Sequence, residues 1–207
     1  MEITIIGTGN MARGIATRAL AGGNTVTLLG TSTEKAQALA GELPGDVSAG
    51  QVGDALVGDV VVLAVWYQAV GDVLGRYGDQ LDGKIVIDIT NPVDPETYAP
   101  LTIEAGSVAQ EIAASVPGAR VVKAFNTTFA GTLVDGEVAG QSLDVFIAGD
   151  DEDAKGAVKQ LAAGGGLRPI DAGPLALAHH IEALGYLNMA IQPALGTNYG
   201  SAIKVLA

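Results

Sequence analysis

The chain of 207 residues contains no cysteine, which excludes disulfide bonds, thiol nucleophiles and thiolate metal ligands. Aromatic residues make up only 4% of the sequence, whereas hydrophobic residues make up 48%. A core of this composition is built mainly from Ala, Val, Ile and Leu, which is typical of a buried parallel sheet covered by helices. The sequence therefore predicts a well-packed α/β protein.

Positive charge is also scarce, since 11 Lys and Arg residues stand against 23 Asp and Glu residues for a net charge of −12. This balance excludes nucleic acid and anionic membrane surfaces as partners, because both require a basic face. No apolar run approaches the ~20 residues that cross a bilayer. The first strand begins at Glu2 without a charged leader, so we expect a cytoplasmic protein.

Short β-branched runs alternate with helical patterns through most of the chain, which predicts a Rossmann-type, doubly wound and mostly parallel sheet. The predicted strands are Glu2–Ile6, Thr25–Leu29, Asp59–Val65, Lys84–Ile89, Arg120–Phe125 and Asp144–Ala148. The predicted helices are Asn10–Leu20, Thr33–Leu43 and one that starts at Asp150–Asp153 and runs to about Ala163. No linker divides residues 1–207, so we expect a single domain.

Residues 174–207 differ from the rest, because the long helical pattern Leu175–Tyr199 has no strand after it. We expect a C-terminal helical extension. Its apolar residues recur at helical spacing and form a stripe of Leu177, Ile181, Leu184, Leu187 and Ile191. The stripe indicates either packing on the sheet or a dimer interface that closes a second, substrate pocket.

The first strand runs into a glycine turn that opens a helix, the context in which a dinucleotide pyrophosphate binds. The turn reads Gly7, Thr8, Gly9, Asn10, Met11 and Ala12. In this pattern the first glycine permits a tight turn, the second admits the pyrophosphate, and a small third residue allows close helix packing. The helix N-terminus then presents free N–H groups to the phosphates.

The second strand ends Leu28-Leu29-Gly30 without the acidic residue that holds the ribose hydroxyls of NAD. Thr31, Ser32 and Lys35 stand where the 2′-phosphate of NADP would lie, so NADP is favoured, although no arginine is present to clamp it. The hydroxyls of Thr31–Thr33 are also suited to capping the next helix, and both roles can coexist.

Several segments together resemble the NADP oxidoreductases that depend on coenzyme F420, and the resemblance runs over nearly the whole chain. The segments are Gly7–Met11, the strand end at Trp66, Val121–Thr127, Gly166–Leu175 and Ala202–Leu206. The same ground plan is found in the oxidoreductase domains of membrane metalloreductases. The start of the chain also resembles pyrroline-carboxylate reductases, but those have a long helical dimerisation domain that is missing here.

The resemblance implies hydride transfer between NADP and a deazaflavin or flavin-like ring, with both rings in one cleft of a homodimeric protein. By position, Thr8–Met11 would hold the pyrophosphate, and Thr31, Ser32 and Lys35 the adenosine phosphate. Trp66 and Val70 would lie along the cofactor, with Asn91 and Pro92 under the nicotinamide ribose. Asn126, Thr127 and Phe129 would face the acceptor, and Ala130 would border the cofactor.

This chain departs from the deazaflavin enzymes where they have arginine after the second strand, since it has Ser32 and Thr33 there. It also has Asn126 and Phe129 where they have histidine and proline. The first difference bears on the selectivity for NADP. The second bears on the identity of the acceptor.

Hydride transfer between two redox rings requires no protein acid or base in principle, and the sequence offers no catalytic triad, carboxylate pair or metal-ligand cluster. His179 and His180 are adjacent and should diverge by about 100° on a helix, which favours a structural or interface role over a shared metal. The leading hypothesis is an NADPH-dependent reductase of a deazaflavin or flavin. Alternatives are a reductase of a small carbonyl, imine or chelated metal, and a non-catalytic NADP sensor.

Individual side chains near the predicted cleft each allow two interpretations. Asn126 could donate to a carbonyl edge of the acceptor or nicotinamide, or cap the following helix. Trp66 could stack on a ring or cover the end of the sheet. Arg168 could attract an anionic acceptor tail, or lie at a solvated sheet edge, and Lys123 and Lys204 are equally open.

Overall fold

The computed structural model describes residues 1–206, and within them the chain forms one large sheet flanked by helices. The strands are β1 Glu2–Ile6, β2 Thr25–Gly30, β3 Val47–Gln51, β4 Val60–Leu63, β5 Ile85–Asp88, β6 Arg120–Lys123, β7 Glu137–Val138, β8 Gln141–Ser142, β9 Asp144–Gly149 and β10 Arg168–Gly173. The α-helices are α1 Asn10–Ala21, α2 Thr33–Ala40, α3 Tyr67–Tyr77, α4 Val108–Ser115, α5 Ala130–Asp135, α6 Glu152–Gly164, α7 Ala178–Ala190 and α8 Gln192–Leu195.

The large sheet has eight strands in the order β10-β9-β6-β5-β4-β1-β2-β3. The six strands from β3 to β6 in this order are parallel, whereas β9 runs antiparallel to β6 and parallel to β10. The strand β1 lies between β2 and β4, so the direction of chain progression reverses there. Ligands of open α/β sheets bind at the carboxyl ends of the strands beside such a reversal. The predicted Rossmann-type fold is therefore confirmed.

Two apolar cores lie on the two faces of the sheet, and β4 explains how they arise. Val60 and Val62 pack in the core beneath α1 and α6, while Val61 and Leu63 pack in the core beneath α3 and α4. A strand that is buried on both faces reads as a continuous apolar run instead of an alternating one. All four β4 side chains are accordingly buried.

Element boundaries differ from the predicted ones at several ends. The helix α2 ends at Ala40 instead of Leu43, and β4 is shorter at both ends than Asp59–Val65. The pattern Leu175–Tyr199 is not one helix, because a 3₁₀ turn precedes α7 and α8 restarts at Gln192. Pro193 in the first turn of α8 has no N–H to donate back to α7, which explains the break.

The predicted apolar stripe of the C-terminal segment does not lie on one buried face. Ile181 is buried, but Leu177, Leu187 and Ile191 are exposed. The buried residues of α7 are instead Ala178, Ile181, Glu182, Gly185 and Asn188. Two polar side chains thus occupy the face that packs on the rest of the molecule, and their partners explain why.

No helix within residues 1–206 combines the length and the apolar composition that a bilayer crossing requires.

Candidate functional site

The turn between β1 and α1 is shaped so that only glycine fits at its first position. Gly7 has φ +125° and its N–H donates to Leu29 O at 2.8 Å. A Cβ atom at Gly7 would lie 2.1 Å from Ala64 O at the end of β4. Gly9 differs, because a Cβ atom there would meet nothing within 4 Å. Gly9 therefore faces open space at the point where the predicted pyrophosphate would lie.

The N-terminus of α1 fits an anionic group. Gly9 is its N-cap and offers no side-chain acceptor, and the first turn contains no acidic residue. The first N–H groups of the helix thus have no intrahelical partner, and the helix dipole adds positive potential. Asn10 is exposed and Thr8 and Met11 are half-buried around this end, while Ala12 is fully buried against the sheet.

The segment after β2 combines a helix cap with exposed polar groups. Ser32 Oγ accepts from Lys35 N at 3.4 Å and so caps α2. Thr31 and Lys35 are exposed, and Ser32 is half-buried. A Cβ atom at Gly30 would lie 2.8 Å from Thr8 Cγ2, so this segment directly adjoins the glycine turn. The predicted capping role of Ser32 is confirmed, while its role toward a 2′-phosphate stays a prediction.

Trp66 and Val70, at the start of α3, differ in what they can offer a ligand. Trp66 is 53% exposed and its ring lies edge-on to that of Tyr98, with 6.3 Å between centroids. It therefore does not cover the sheet end as a buried residue would. Val70 is 2% exposed and packs in the apolar core with Val73 and Leu74. The contact of each with a cofactor remains a prediction.

Asn91 and Asn126 follow β5 and β6 and bind each other. Asn126 Nδ2 donates to Asn91 Oδ1 at 2.8 Å and to Ile181 O at 3.0 Å, and Asn91 Nδ2 donates to Asn126 O at 2.9 Å. These partners fix which amide atom is oxygen and which is nitrogen. Asn126 Oδ1 is buried and has no partner among residues 1–206. Pro92 is half-buried beside Asn91.

Both sequence interpretations of Asn126 require correction. Its Nδ2 already donates twice within the protein, so it has no N–H left for a carbonyl edge of a ligand. It does not cap α5 either, since the N-cap of α5 is Phe129 and no side chain bonds there. Its remaining polar atom, Oδ1, accepts hydrogen bonds and is buried without a partner.

The residue before Asn126 has a strained backbone. Phe125 has φ +64° although it is a buried non-glycine residue, a conformation that costs of order 1–3 kcal/mol. The turn is held because Thr128 N and Oγ1 both donate to Phe125 O. Such strain persists only where surrounding contacts over-determine it, and it concentrates at functional sites.

The remaining predicted acceptor residues lie in the turn before α5. Thr127 is buried, and its carbonyl accepts from Asn188 Nδ2 at 3.1 Å. The rings of Phe129 and Tyr199 are edge-on, with 5.2 Å between centroids, so the C-terminal segment covers this turn. Ala130 is half-buried at the first position of α5. The structure thus brings Asn91, Asn126 and the turn before α5 together.

A buried ion cluster beneath the asparagine pair was not predicted from the sequence. Lys123 Nζ donates to Asp88 Oδ2 and to Glu182 Oε1, both at 2.8 Å, and to the carbonyl of Thr90. The side chains of Lys123 and Asp88 are 0% exposed and that of Glu182 is 4% exposed. We call Lys123, Asp88 and Glu182 the interior cluster.

Glu182 also binds the N-terminus of α4, where Val108 N donates to its two oxygens at 3.0 and 3.3 Å. Burial raises the pKa of Glu182, although the charge and hydrogen bond of Lys123 act in the opposite direction. The Lys123 ammonium uses all three of its donors. The sequence signal that could have indicated it is Glu182, the one acidic residue of α7, which follows Ile181 on the apolar stripe.

Arg168 and Lys204 share one carboxylate at the outer strands. Arg168 donates from Nε and Nη2 to Asp144 at 2.7 and 2.5 Å, and Lys204 Nζ donates to Asp144 Oδ1 at 2.7 Å. Val205 N adds a bond to Asp144 at 2.8 Å, and Val205 O accepts from Arg168. We call Asp144, Arg168 and Lys204 the edge cluster. Arg168 lies on the outermost strand β10 with its side chain 39% exposed, in agreement with a solvated sheet edge, and it binds Asp144 there.

The two adjacent histidines lie closer together than helical geometry predicted. The ring centroids of His179 and His180 are 3.7 Å apart, because His179 folds back so that Nδ1 contacts Ala176 O at 2.7 Å. Both residues are exposed. Among residues 1–206 no group of three or more His, Asp or Glu side chains is arranged to hold a metal ion.

Known proteins resemble this chain over its whole length. Residues 2–92 match the family model described as NADP oxidoreductase, coenzyme F420-dependent. The F420-dependent NADP reductase of Methanocaldococcus jannaschii is 31% identical over 89% of this chain and 89% of its own length. A solved structure from Arthrobacter sp. FB24, provisionally named an F420-dependent NADP reductase, has a TM-score of 0.86 and 30% identity over 99% of both chains.

A membrane metalloreductase is also related. STEAP3 of Rattus norvegicus is 31% identical over 88% of this chain, but this chain spans only 36% of the length of that protein. The similarity to the Methanocaldococcus enzyme, by contrast, covers 89% of the length of both proteins. The chain belongs to the family of F420-dependent NADP reductases and is an NADP-dependent oxidoreductase.

Proposed function

We propose that the chain transfers a hydride between NADPH and coenzyme F420 or another deazaflavin. The observation that carries this proposal is the similarity to an F420-dependent NADP reductase over 89% of the length of both proteins. NADPH, when bound, supplies the hydride at its nicotinamide ring. The protein supplies the binding, alignment and exclusion of water that the transfer requires.

The nucleotide side of the proposal assigns a group to each part of the cofactor. The uncapped N-terminus of α1 and the open space at Gly9 would receive the pyrophosphate. Thr31, Ser32 and Lys35 would receive the 2′-phosphate. Asn91 and Pro92 would lie under the nicotinamide ribose, beside Asn126. Thr127 and Phe129 would line the acceptor side, and Ala130 would border the cofactor.

A reductase of a chelated metal is the second candidate. The similarity to rat STEAP3 favours it, because that relative is named a metalloreductase. Asn126 and Phe129 bear on the choice of acceptor, since they replace the histidine and proline of the deazaflavin enzymes. An assay with several acceptors decides between the two candidates.

The deciding experiment follows NADPH absorbance with one acceptor at a time: F420, FMN, a ferric chelate, and a small imine or ketone. Turnover with F420 is the expected result. Turnover with the ferric chelate alone would favour the second candidate, and turnover only with a carbonyl or imine would contradict both. Tight NADPH binding without turnover on any acceptor would indicate a sensor.

Replacing Gly9 with leucine should abolish NADPH binding without unfolding the protein. Gly9 has φ −83°, and a side chain there meets only open space, so the fold tolerates it while the pyrophosphate does not. Gly75→Leu is the matched control, because a Cβ atom at Gly75 on α3 also meets nothing within 4 Å. NADPH affinity by fluorescence titration and the unfolding midpoint are measured for both. Retained binding in Gly9→Leu would refute this site.

Replacing Ser32 with aspartate should weaken NADPH binding relative to NADH by about tenfold or more, equivalent to ~1.4 kcal/mol. Aspartate caps α2 as well as serine does, so the helix is preserved while a negative charge faces the 2′-phosphate. Ser32→Asn caps equally well without charge, and its preference should stay near that of the wild type. An unchanged preference in Ser32→Asp would place the 2′-phosphate elsewhere.

The proposal extends to the organisation of the protein. Residues 1–207 would act as one cytoplasmic domain, and the exposed Leu187, Ile191 and Leu195 of residues 174–207 would pair in a homodimer. Light scattering on the purified protein tests the dimer directly. Substitution of Leu187 by aspartate should convert it to monomer.

A further inference from the structure

The buried charge of α7 holds this helix against the predicted reaction site. Glu182 reaches Lys123 at the end of β6 and the backbone N–H of Val108 at the start of α4. Three elements therefore meet at one carboxylate that is 4% exposed on its side chain. The predicted chemistry of hydride transfer uses none of these groups, so the cluster requires another explanation.

The same helix face touches both asparagines of the site. Asn126 Nδ2 donates to Ile181 O, one residue before Glu182. A Cβ atom on Gly185 would lie 2.7 Å from Asn91 Oδ1 and 2.9 Å from Asn126 O. Asn188, one turn further, binds Thr127 O. α7 thus forms a wall that packs directly on the asparagine pair, with no room between them for a side chain at position 185.

Asn126 depends on this wall because its neighbour is strained. Phe125 holds φ +64°, and relaxation to an ordinary backbone angle would swing Asn126 away from Asn91. The bonds of Asn126 to Ile181 O and Asn91 oppose that relaxation. The bond to Ile181 O does so only while α7 keeps its position.

We propose that Glu182 is a positioning residue of the reaction site, which fixes Asn126 and Asn91 by anchoring α7 to Lys123 and to the N-terminus of α4. The kinetic part of the test rests on the proposed function. The groups that face Glu182 are the ammonium of Lys123, the carboxylate of Asp88 and the Val108 N–H, with Tyr67 and Glu111 further out. Removing the carboxylate leaves Lys123 paired with Asp88 alone.

The kinetic test compares Glu182→Gln with Asp150→Asn. Asp150 Oδ1 accepts from Leu175 N at 2.8 Å and so also secures the C-terminal segment, but it touches neither the interior cluster nor the asparagines. Glu182→Gln should lower kcat with F420 by about tenfold or more, because misplacement by a fraction of an ångström impairs hydride alignment. The KM for NADPH should stay within about threefold, since the pyrophosphate turn is untouched. Asp150→Asn should leave kcat within about twofold.

A second measurement requires no acceptor. In nitrogen-15 spectra of the wild-type chain, the side-chain amide of Asn126 should exchange slowly with solvent. In Glu182→Gln this exchange should accelerate by about tenfold or more, while in Asp150→Asn it should not. Glu182→Met removes the carboxylate while keeping a similar volume, and it replaces Glu182→Gln in this measurement if the glutamine variant fails to fold. Glu182→Met should accelerate the exchange of the Asn126 amide by at least the same factor.

The outcomes separate the two proposals. If the wild-type protein does not oxidise NADPH with F420, the proposed function fails, and the exchange of Asn126 still decides the role of Glu182. If Glu182→Gln changes kcat and the exchange of Asn126 no more than Asp150→Asn does, the positioning role is wrong.

Discussion

The interior cluster and the edge cluster are inverse arrangements of the same three-charge motif. In the interior cluster one cation, Lys123, lies between the carboxylates of Asp88 and Glu182. In the edge cluster one carboxylate, Asp144, lies between Arg168 and Lys204. The central group is fully buried in both. The flanking groups are 0% and 4% exposed in the first but 39% and 21% exposed in the second.

This difference determines how each cluster responds to the loss of a member. Flanking groups that reach water can turn into it when their partner is removed, whereas buried ones retain an uncompensated charge. The pH dependence also differs. Burial raises the pKa of Glu182, so the free energy of unfolding gains a contribution from Glu182 as the pH falls through its folded-state pKa toward its ordinary pKa. The pKa of Asp144 is lowered, so the contribution of Asp144 to the free energy of unfolding is lost as the pH falls.

Replacing Lys123 with methionine should have the largest effect, a loss of about 3–5 kcal/mol in the free energy of unfolding, because two buried carboxylates lose their cation. Urea unfolding measures it. Lys84→Met is the control, because Lys84 donates one bond to Gly58 O just before the first residue of β5, far from the interior cluster. Loss of this bond should cost about 1 kcal/mol. The difference should shrink at acidic pH, because burial raises the pKa of Glu182 and this carboxylate then takes up a proton. Equal losses of unfolding free energy in Lys123→Met and Lys84→Met would contradict the claim that the interior cluster depends on its cation.

Replacing Asp144 with asparagine should cost about 2 kcal/mol at neutral pH. Burial raises the pKa of Asp144, but hydrogen bonds from Arg168 and Lys204 outweigh it and lower the pKa to about 2. The stabilisation is therefore present above about pH 4 and is lost as the pH falls from about 4 to 2. Unfolding free energies across this range should decline less steeply in Asp144→Asn than in the wild type.

A control is required because another carboxylate titrates in the same range. A hydrogen bond from Lys159 lowers the pKa of Asp171 to about 2, but the Asp171 side chain is 37% exposed. Asp171→Asn should therefore change the acid slope less than Asp144→Asn does. If the two variants changed the acid slope equally, burial of Asp144 would not explain its larger contribution to stability.

Replacing Lys204 with methionine should have the smallest effect, less than about 1 kcal/mol, because Asp144 keeps both bonds from Arg168. The thermal unfolding midpoint should fall only slightly. A loss as large as that of Asp144→Asn would show that the edge cluster behaves like the interior one.

The nucleotide half of the molecule was readable from the sequence because its signals are local. Only a few residues separate β1, the glycine turn and the start of α1 at Asn10. The small residues of the turn are each required for a steric reason that can be stated from the sequence. The positions of β1 and the first residue of α1 were predicted correctly. The small strand β3, with the sequence Val47–Gln51, has no such signal and was missed.

The acceptor half depends on contacts between distant residues, which patterns along the chain do not contain. Lys123 and Glu182 are 59 positions apart, and their bond explains why a charged residue faces inward on α7. The interpretation of the apolar stripe as a face packed on the sheet is therefore wrong, while the dimer interface stays a prediction. The asparagine pair, 35 positions apart, was predicted only as two separate residues.

The parallel arrangement of β1 to β6 has a practical consequence for attaching the protein to a surface. The amino ends of all six strands lie on one side of the sheet, and their carboxyl ends lie on the other side, where the glycine turn and the asparagine pair are found. Because the chain has no cysteine, a thiol introduced at Asp59, exposed just before β4, would be a unique attachment point. An electrode coated through that thiol would present the glycine turn and the asparagine pair of every molecule to the solution.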